Sequence, residues 1–199
     1  MFTIRSIKHC CYPVLRKAAA VFLVPLVWGT LFTQVLSSEE QEDQSLLIQS
    51  ALIYKITRFV LWPEQAFRDK ESPIHICTSG KNGEILSRLI HEGTRGEKSQ
   101  NREITTSYLE EIETDLGTRN CHILFLSDVQ KGQLIKMYEK TDTSQLLVIG
   151  GSTTLLDAGA MISIFLKENK MALYINIDAL LSSSKIKLQN SLFTIGTIV

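Results

Sequence analysis

Few residues in this chain have types and spacing suited to chemistry: His75 and Cys77, two apart, and Cys121 beside His122. Two imidazoles and two thiolates make up the donor set of a structural zinc site. On a strand, residues two apart point to the same face, so His75 and Cys77 could act together. Neighbours point to opposite faces, so Cys121 and His122 converge poorly. The rival chemistry is a Cys77–Cys121 disulfide, and oxidised cysteines cannot ligate zinc. Cys10 and Cys11 precede an apolar run that reads as an export signal, and the even pair left in an exported domain favours the bridge. The disulfide is the expectation, with no metal and no cofactor. Closing that loop contributes up to about 4 kcal/mol in the chain-entropy treatment.

A second group of candidates follows β-rich runs. Ser79 opens the turn SGKNGE, Asp128 follows HILFLS, and Gly151, Ser152 and Thr153 follow QLLVIG. Open α/β sheets bind ligands outside the carboxyl ends of their strands, so these five could line a crevice there. Each also has a plainer role: Asp128 as a helix cap, SGKNGE as a tight turn, GGSTT as an ordinary loop. The turn has neither Walker nor GxGxxG spacing. No GxSxG elbow, HExxH helix or suggestive Ser/His/Asp set occurs, so no catalytic residue is assigned and an enzyme is not expected. The acids Glu110, Glu111, Glu113 and Asp115 read as a solvated helix face.

The elements that must position these residues begin with a helix from Asp43 or Ser45 to Leu61, with Ile48, Leu52, Ile56, Phe59 and Val60 on its apolar face. Pro63 stops it, because the ring disfavours helical dihedrals in the preceding residue. Trp62 then packs at the exit, and Arg58, off the apolar face, is free to meet a partner. Strands at 74–79, 103–108, 122–127 and 145–150 alternate with helices at 83–91, 108–116 and 129–140, the pattern of βαβ units. Two further strands, 161–166 and 171–177, flank Lys167–Lys170 as a hairpin. A short helix is expected within 190–199. The fold class is α/β: a single domain with an open, mainly parallel sheet, mixed at one edge, and helices on both faces.

The amino terminus stands apart. Arg5, Lys8, Arg16 and Lys17 precede the apolar run 18–36, which gives way to SSEEQEDQ, the order of a secretory signal peptide cleaved near Ser37 or Ser38. An uncleaved inner-membrane anchor is the alternative, weakened by Pro25, Gly29, Thr30 and Gln34. A lipid-modified cysteine would have to follow the run, and Cys10 and Cys11 precede it. The expected organisation is a signal peptide at 1–37, a disordered acidic leader at 38–45 and the folded domain at 46–199. Removal of the four basic residues leaves 17 of 21 Lys plus Arg against all 21 Asp plus Glu, a net charge near −4. That balance offers no basic patch to nucleic acid.

Several segments, in order, resemble the YfiR family of periplasmic regulators: ALIYKITRFVLWP, IHICTSG, NCHILFLSD, LLVIGG, DAGAMISIFLKENKMALYINIDAL and a closing helix. Together they cover roughly 46–199. The resemblance implies a periplasmic protein that binds the extracytoplasmic domain of an inner-membrane diguanylate cyclase and represses it, lowering cyclic-di-GMP signalling and biofilm formation. It also implies sequestration by an outer-membrane lipoprotein, dimerisation and a response to redox state. By position, Cys77 and Cys121 match the family's disulfide cysteines, and Trp62, Pro63 and Asn176 its framework residues. A second disulfide of some members has no counterpart, and Gly159-Ala160 stands where relatives carry Gly-Gly. The alternative function is a periplasmic small-molecule-binding sensor that uses the carboxyl-end crevice.

Overall fold

The computed structural model describes the backbone of residues 23–199 except residue 184, and side chains from residue 40 except 113, 117, 118, 183 and 184. Two compact units are distinguished, Met1–Asp43 and Gln44–Val199. Of the expected signal peptide, 1–22 lies outside the described residues. From 23 to 37 only the backbone is described, as helix.

Helix α1 (Leu23–Ile56) runs unbroken through 38–45, the segment expected to be disordered. That stretch contains Glu and Gln, which favour helix, and neither glycine nor proline to interrupt it. Within the second unit, Leu46, Gln49, Ser50, Ile53 and Ile56 are buried while Ile48 is 51% exposed, so the core face is rotated from the one read off the apolar residues alone. Gln49 can occupy that face because its amide donates to the Ile164 carbonyl at 2.9 Å. The helix also ends earlier than Leu61. Thr57–Phe59 tightens into a 3₁₀ turn, and Val60–Leu61 forms a short strand, β1. Gln100 explains the early exit, since its amide donates to the carbonyls of Thr57 and Val60 at 2.7 Å each.

The remaining elements are β2 (Ile74–Gly80), α2 (Gly83–Gly93), β3 (Lys98–Ser99), β4 (Arg102–Leu109), α3 (Ile112–Arg119), β5 (Ile123–Ser127), α4 (Lys131–Lys140) and β6 (Leu147–Gly150). They continue with α5 (Thr153–Asp157), β7 (Ile162–Lys167), β8 (Lys170–Ile175), α6 (Ile177–Ser183), β9 (Lys187–Leu188), α7 (Asn190–Phe193) and β10 (Thr197–Ile198). The closing segment is thus part helix and part strand. Eight strands form one sheet in the order β10-β8-β7-β6-β5-β2-β4-β3, and β1 pairs separately with β9.

The pairs β4-β2-β5-β6-β7 and the edge pair β8-β10 are parallel, and the antiparallel pairs β3-β4 and β7-β8 make the mainly parallel sheet mixed, as expected. Both antiparallel pairs are hairpins whose two loop residues have positive φ: Gln100 and Asn101, then Glu168 and Asn169. That backbone matches the right-handed twist of paired strands.

Alternation along the central strands sends side chains to two cores. Ile74, Ile76, Ile123, Phe125, Leu147 and Ile149 pack with residues of α1, α2, α6 and α7 on one face. Cys77, Leu124, Leu126 and Val148 pack with residues of α3, α4 and α5 on the other. A sheet covered on both faces needs apolar residues at nearly every strand position, which is why these runs read as continuous rather than alternating.

Candidate functional site around the disulfide

Cys77, fully buried in β2, is bonded to Cys121, and their Cα atoms lie 5.8 Å apart. Asn120, left-handed at φ 50°, ends α3 and turns the chain into Cys121. A ring nitrogen of His75 and the two sulfurs all lie within 4.8 Å of one another. His75 Nδ1 is 2.7 Å from the hydroxyl of Thr105, its partner across the β2–β4 ladder, while Nε2 is buried with no hydrogen-bond partner. Burial first, and then the charge of Arg119, hold the His75 pKa below its ordinary value.

His122 does not join this set. Its Nδ1 accepts from the His75 backbone N–H at 3.0 Å, so its Nε2–H donates to the Ala66 carbonyl at 2.9 Å. Burial pushes its pKa down to about 4 against the opposing Ala66 bond, with His75 and Arg102 adding to the depression. The Phe67 ring stacks on the imidazole at 4.5 Å, and the Arg102 guanidinium lies 3.7 Å from the Phe67 centroid. Trp62 meets Phe67 and His122 edge-on at 5.9 and 6.2 Å. Arg102 also donates to the carbonyls of Asp69, Lys70 and Ser72, which ties the chain between β1 and β2 to β4. Nothing local in the sequence marks Phe67 or Arg102, since their contact exists only through the pairing of β2 with β4.

Some of these groups border a cleft of about 700 Å³ at the amino ends of β2, β5 and β6. His75, Cys121, His122 and Phe67 line it together with Arg68, Arg119 and Asp142. A smaller crevice of about 440 Å³ lies at the carboxyl ends, where Ser79 and Asp128 do meet. Gly151, Ser152 and Thr153 are not among its lining residues, and each has a role in the chain. Gly151 N–H bonds the Leu126 carbonyl, the Ser152 hydroxyl accepts from Leu155 N–H at the start of α5, and Thr153 begins that helix. Ser79 donates to the Leu109 carbonyl at 2.8 Å. Asp128 is left-handed at φ 52° and does not cap α4, because Gln130 supplies the cap through a reciprocal bond with Gln133.

The remaining positions are structural in placement. Pro63 opens a 3₁₀ turn, accepting from Ala66 N–H at 3.0 Å. Asn176 donates to the Leu156 carbonyl at 3.1 Å and accepts from Ala179 N–H at 2.9 Å, joining α5 to the first turn of α6. Arg58 is exposed and donates to the Tyr54 hydroxyl at 2.8 Å, lying over that ring.

The YfiR/HmsC-like family matches residues 47–197, which takes in the sheet from β2 to the start of β10 and the disulfide. The chain belongs to the YfiR/HmsC-like family. Members of this family are periplasmic regulators of diguanylate cyclases, regulatory rather than catalytic. Among curated proteins, none matches the chain significantly. A solved structure described as a conserved domain protein from Vibrio cholerae O1 biovar El Tor is similar to it, with TM-score 0.51 and 11% identity over 77% of this chain and 59% of that one. The chain thus spans less than two thirds of that structure's length, and the likeness shows the fold alone. No helix among the described residues is long and apolar enough to cross a membrane.

Proposed function

We propose that this YfiR-like domain works in the periplasm as the inhibitory partner of an inner-membrane diguanylate cyclase, binding its extracytoplasmic domain and lowering cyclic-di-GMP output and biofilm formation. The observation that carries this reading is the family match across 47–197, from within α1 to the start of β10. Apolar exposure supports a protein partner: Ile195, Ile198 and Val199, on and beside the edge strand β10, are each more than half exposed. Edge strands with exposed apolar side chains invite pairing with another chain. An outer-membrane lipoprotein that sequesters the domain, and a second copy of it, are further partners on this reading. The test is to recover the tagged protein from periplasm and ask whether it retains the extracytoplasmic domain of a membrane diguanylate cyclase and lowers that enzyme's turnover. Failure to retain any such domain contradicts the proposal.

The amino-end cleft favours a second reading, a small-molecule sensor, because about 700 Å³ with two arginines and an aromatic ring suits a small anionic or aromatic ligand. Thermal-shift screening of small metabolites checks it. A ligand in this cleft loses its shift in Arg119→Ala, and a blank screen counts against the reading.

A further inference from the structure

The three donors around the disulfide have a use that the oxidised state hides. Among the described residues, His75, Cys77 and Cys121 are the group of metal-ligating side chains close enough to share an ion, and all three lie within 4.8 Å of one another. In a tetrahedral zinc site the ligand atoms are separated by about 3.3–3.8 Å, which follows from Zn–S near 2.3 Å and Zn–N near 2.0 Å. Parting the two sulfurs by opening the bond brings this triangle towards that spacing.

His75 is also arranged as a ligand. Its Nδ1 is engaged with the Thr105 hydroxyl, and its Nε2 is buried and unpartnered. A ligating histidine donates its other ring N–H to a nearby oxygen, which orients the ring and frees the ligating lone pair. His122 is occupied at both nitrogens, so the protein set has three members. Cys121 and His75 border the cleft, which leaves an approach for a fourth, exogenous ligand.

We infer that reduction of the Cys77–Cys121 bond converts this cluster into a three-ligand site for a zinc-class transition-metal ion, held by His75 Nε2 and the two cysteine sulfurs. Thiolate and imidazole donors select such ions over magnesium or calcium. The electrons come from a dithiol. One of its thiolates attacks the sulfur of Cys121, which borders the cleft, and Cys77 leaves as thiolate. The dithiol's second sulfur then displaces Cys121 and closes the reductant's own disulfide. The dithiol gives up two electrons and two protons, and the protein takes up both as two thiols. Binding of the divalent ion releases two thiol protons to solvent. The open coordination position distinguishes this site from a closed structural one, and it makes metal occupancy a readout of redox state.

The probe is Co²⁺ titrated into the full exported protein, after reduction and removal of the reductant, with far-UV circular dichroism recorded alongside. The reduced protein should give thiolate-to-cobalt charge-transfer absorption and intense tetrahedral d–d bands at one equivalent, both bleached by equimolar Zn²⁺. The oxidised protein should give neither. His75→Asn should lose the tetrahedral bands. Thr105→Val, which keeps a β-branched residue on β4, should weaken Co²⁺ binding by about 10-fold or more while leaving the spectrum's shape unchanged. If reduction loosens the fold, Co²⁺ should restore the dichroism. Absence of both the bands and that restoration overturns the inference, as does a His75→Asn titration that matches wild type.

Discussion

A proton added to His122 Nδ1 would have to displace the N–H of His75 that already donates to it, so the folded protein resists protonation there. The direction of the pH effect follows. The pKa is lowered from 6.5 to about 4 on folding, so between those values the unfolded chain binds the proton and the folded one does not. Stability is at its full value above pH 6.5 and falls as the pH drops towards 4, by an amount on the order of 3 kcal/mol from this group. His122→Asn keeps an acceptor for His75 N–H and cannot titrate. Denaturant midpoints of the metal-free disulfide form at pH 7.5 and 4.5 should therefore differ less in the variant than in wild type, and equal differences would refute the assignment. Gly80 is the other decisive position. At φ +87° its Cβ would collide with the Ser127 carbonyl oxygen and crowd Val129. Gly80→Ala should cost about 3 kcal/mol or more, or prevent folding, as judged by soluble yield and thermal melting.

At the scale of elements, the chain between β1 and β2 is held by its own turns, the 3₁₀ turn after Pro63 and the Asp69–Ser72 bonds, and by Arg102 from β4. Phe67 lies between Arg102 and His122, and Arg102 collects the carbonyls of Asp69, Lys70 and Ser72. Arg102→Ala should free this segment, raising amide exchange across 66–72 and costing about 1–3 kcal/mol. Exchange confined to wild-type levels there would show that the Phe67–His122 stack and the Asp69–Ser72 bonds hold it without Arg102.

Much of this layer was legible in the sequence. The central strands and the helices α2, α3 and α4 were marked by runs of β-branched and apolar residues broken by polar segments, and the second hairpin by KENK. What escaped was set by distant partners. The early end of α1 depends on Gln100, the rotated core face depends on Gln49 meeting Ile164, and β1 exists only because β9 returns to it. The site divides in the same way. Cys77, Cys121 and His75 carry signals by residue type and spacing, and strand alternation already turns His122 away from Cys121, but the partners that hold its ring, Ala66 and the His75 backbone, are encoded by no local pattern. The carboxyl-end crevice was placed by the general rule for open sheets, yet the larger cleft lies at the opposite end, because the chain between β1 and β2 and the ends of α3 and α4 wall it off.

At the scale of the whole molecule, the disulfide joins β2 to the chain entering β5, adjacent strands at the centre of the sheet, across a separation of 44 residues. Cys77→Ala with Cys121→Ala should lower stability by about 2–5 kcal/mol, seen as a lowered urea midpoint. The slope should rise, because the unfolded chain freed of its cross-link exposes more surface, and an unshifted midpoint would contradict the prediction. The family places this molecule among regulators of cyclic-di-GMP synthesis, and the proposal assigns it the sign of that regulation. The most direct test is cellular cyclic-di-GMP in a strain lacking the gene, with and without the export-competent chain supplied in trans. The account predicts that cyclic-di-GMP rises on deletion and returns to its starting level when the exported protein is restored. An unchanged level on deletion, or a fall, would contradict it.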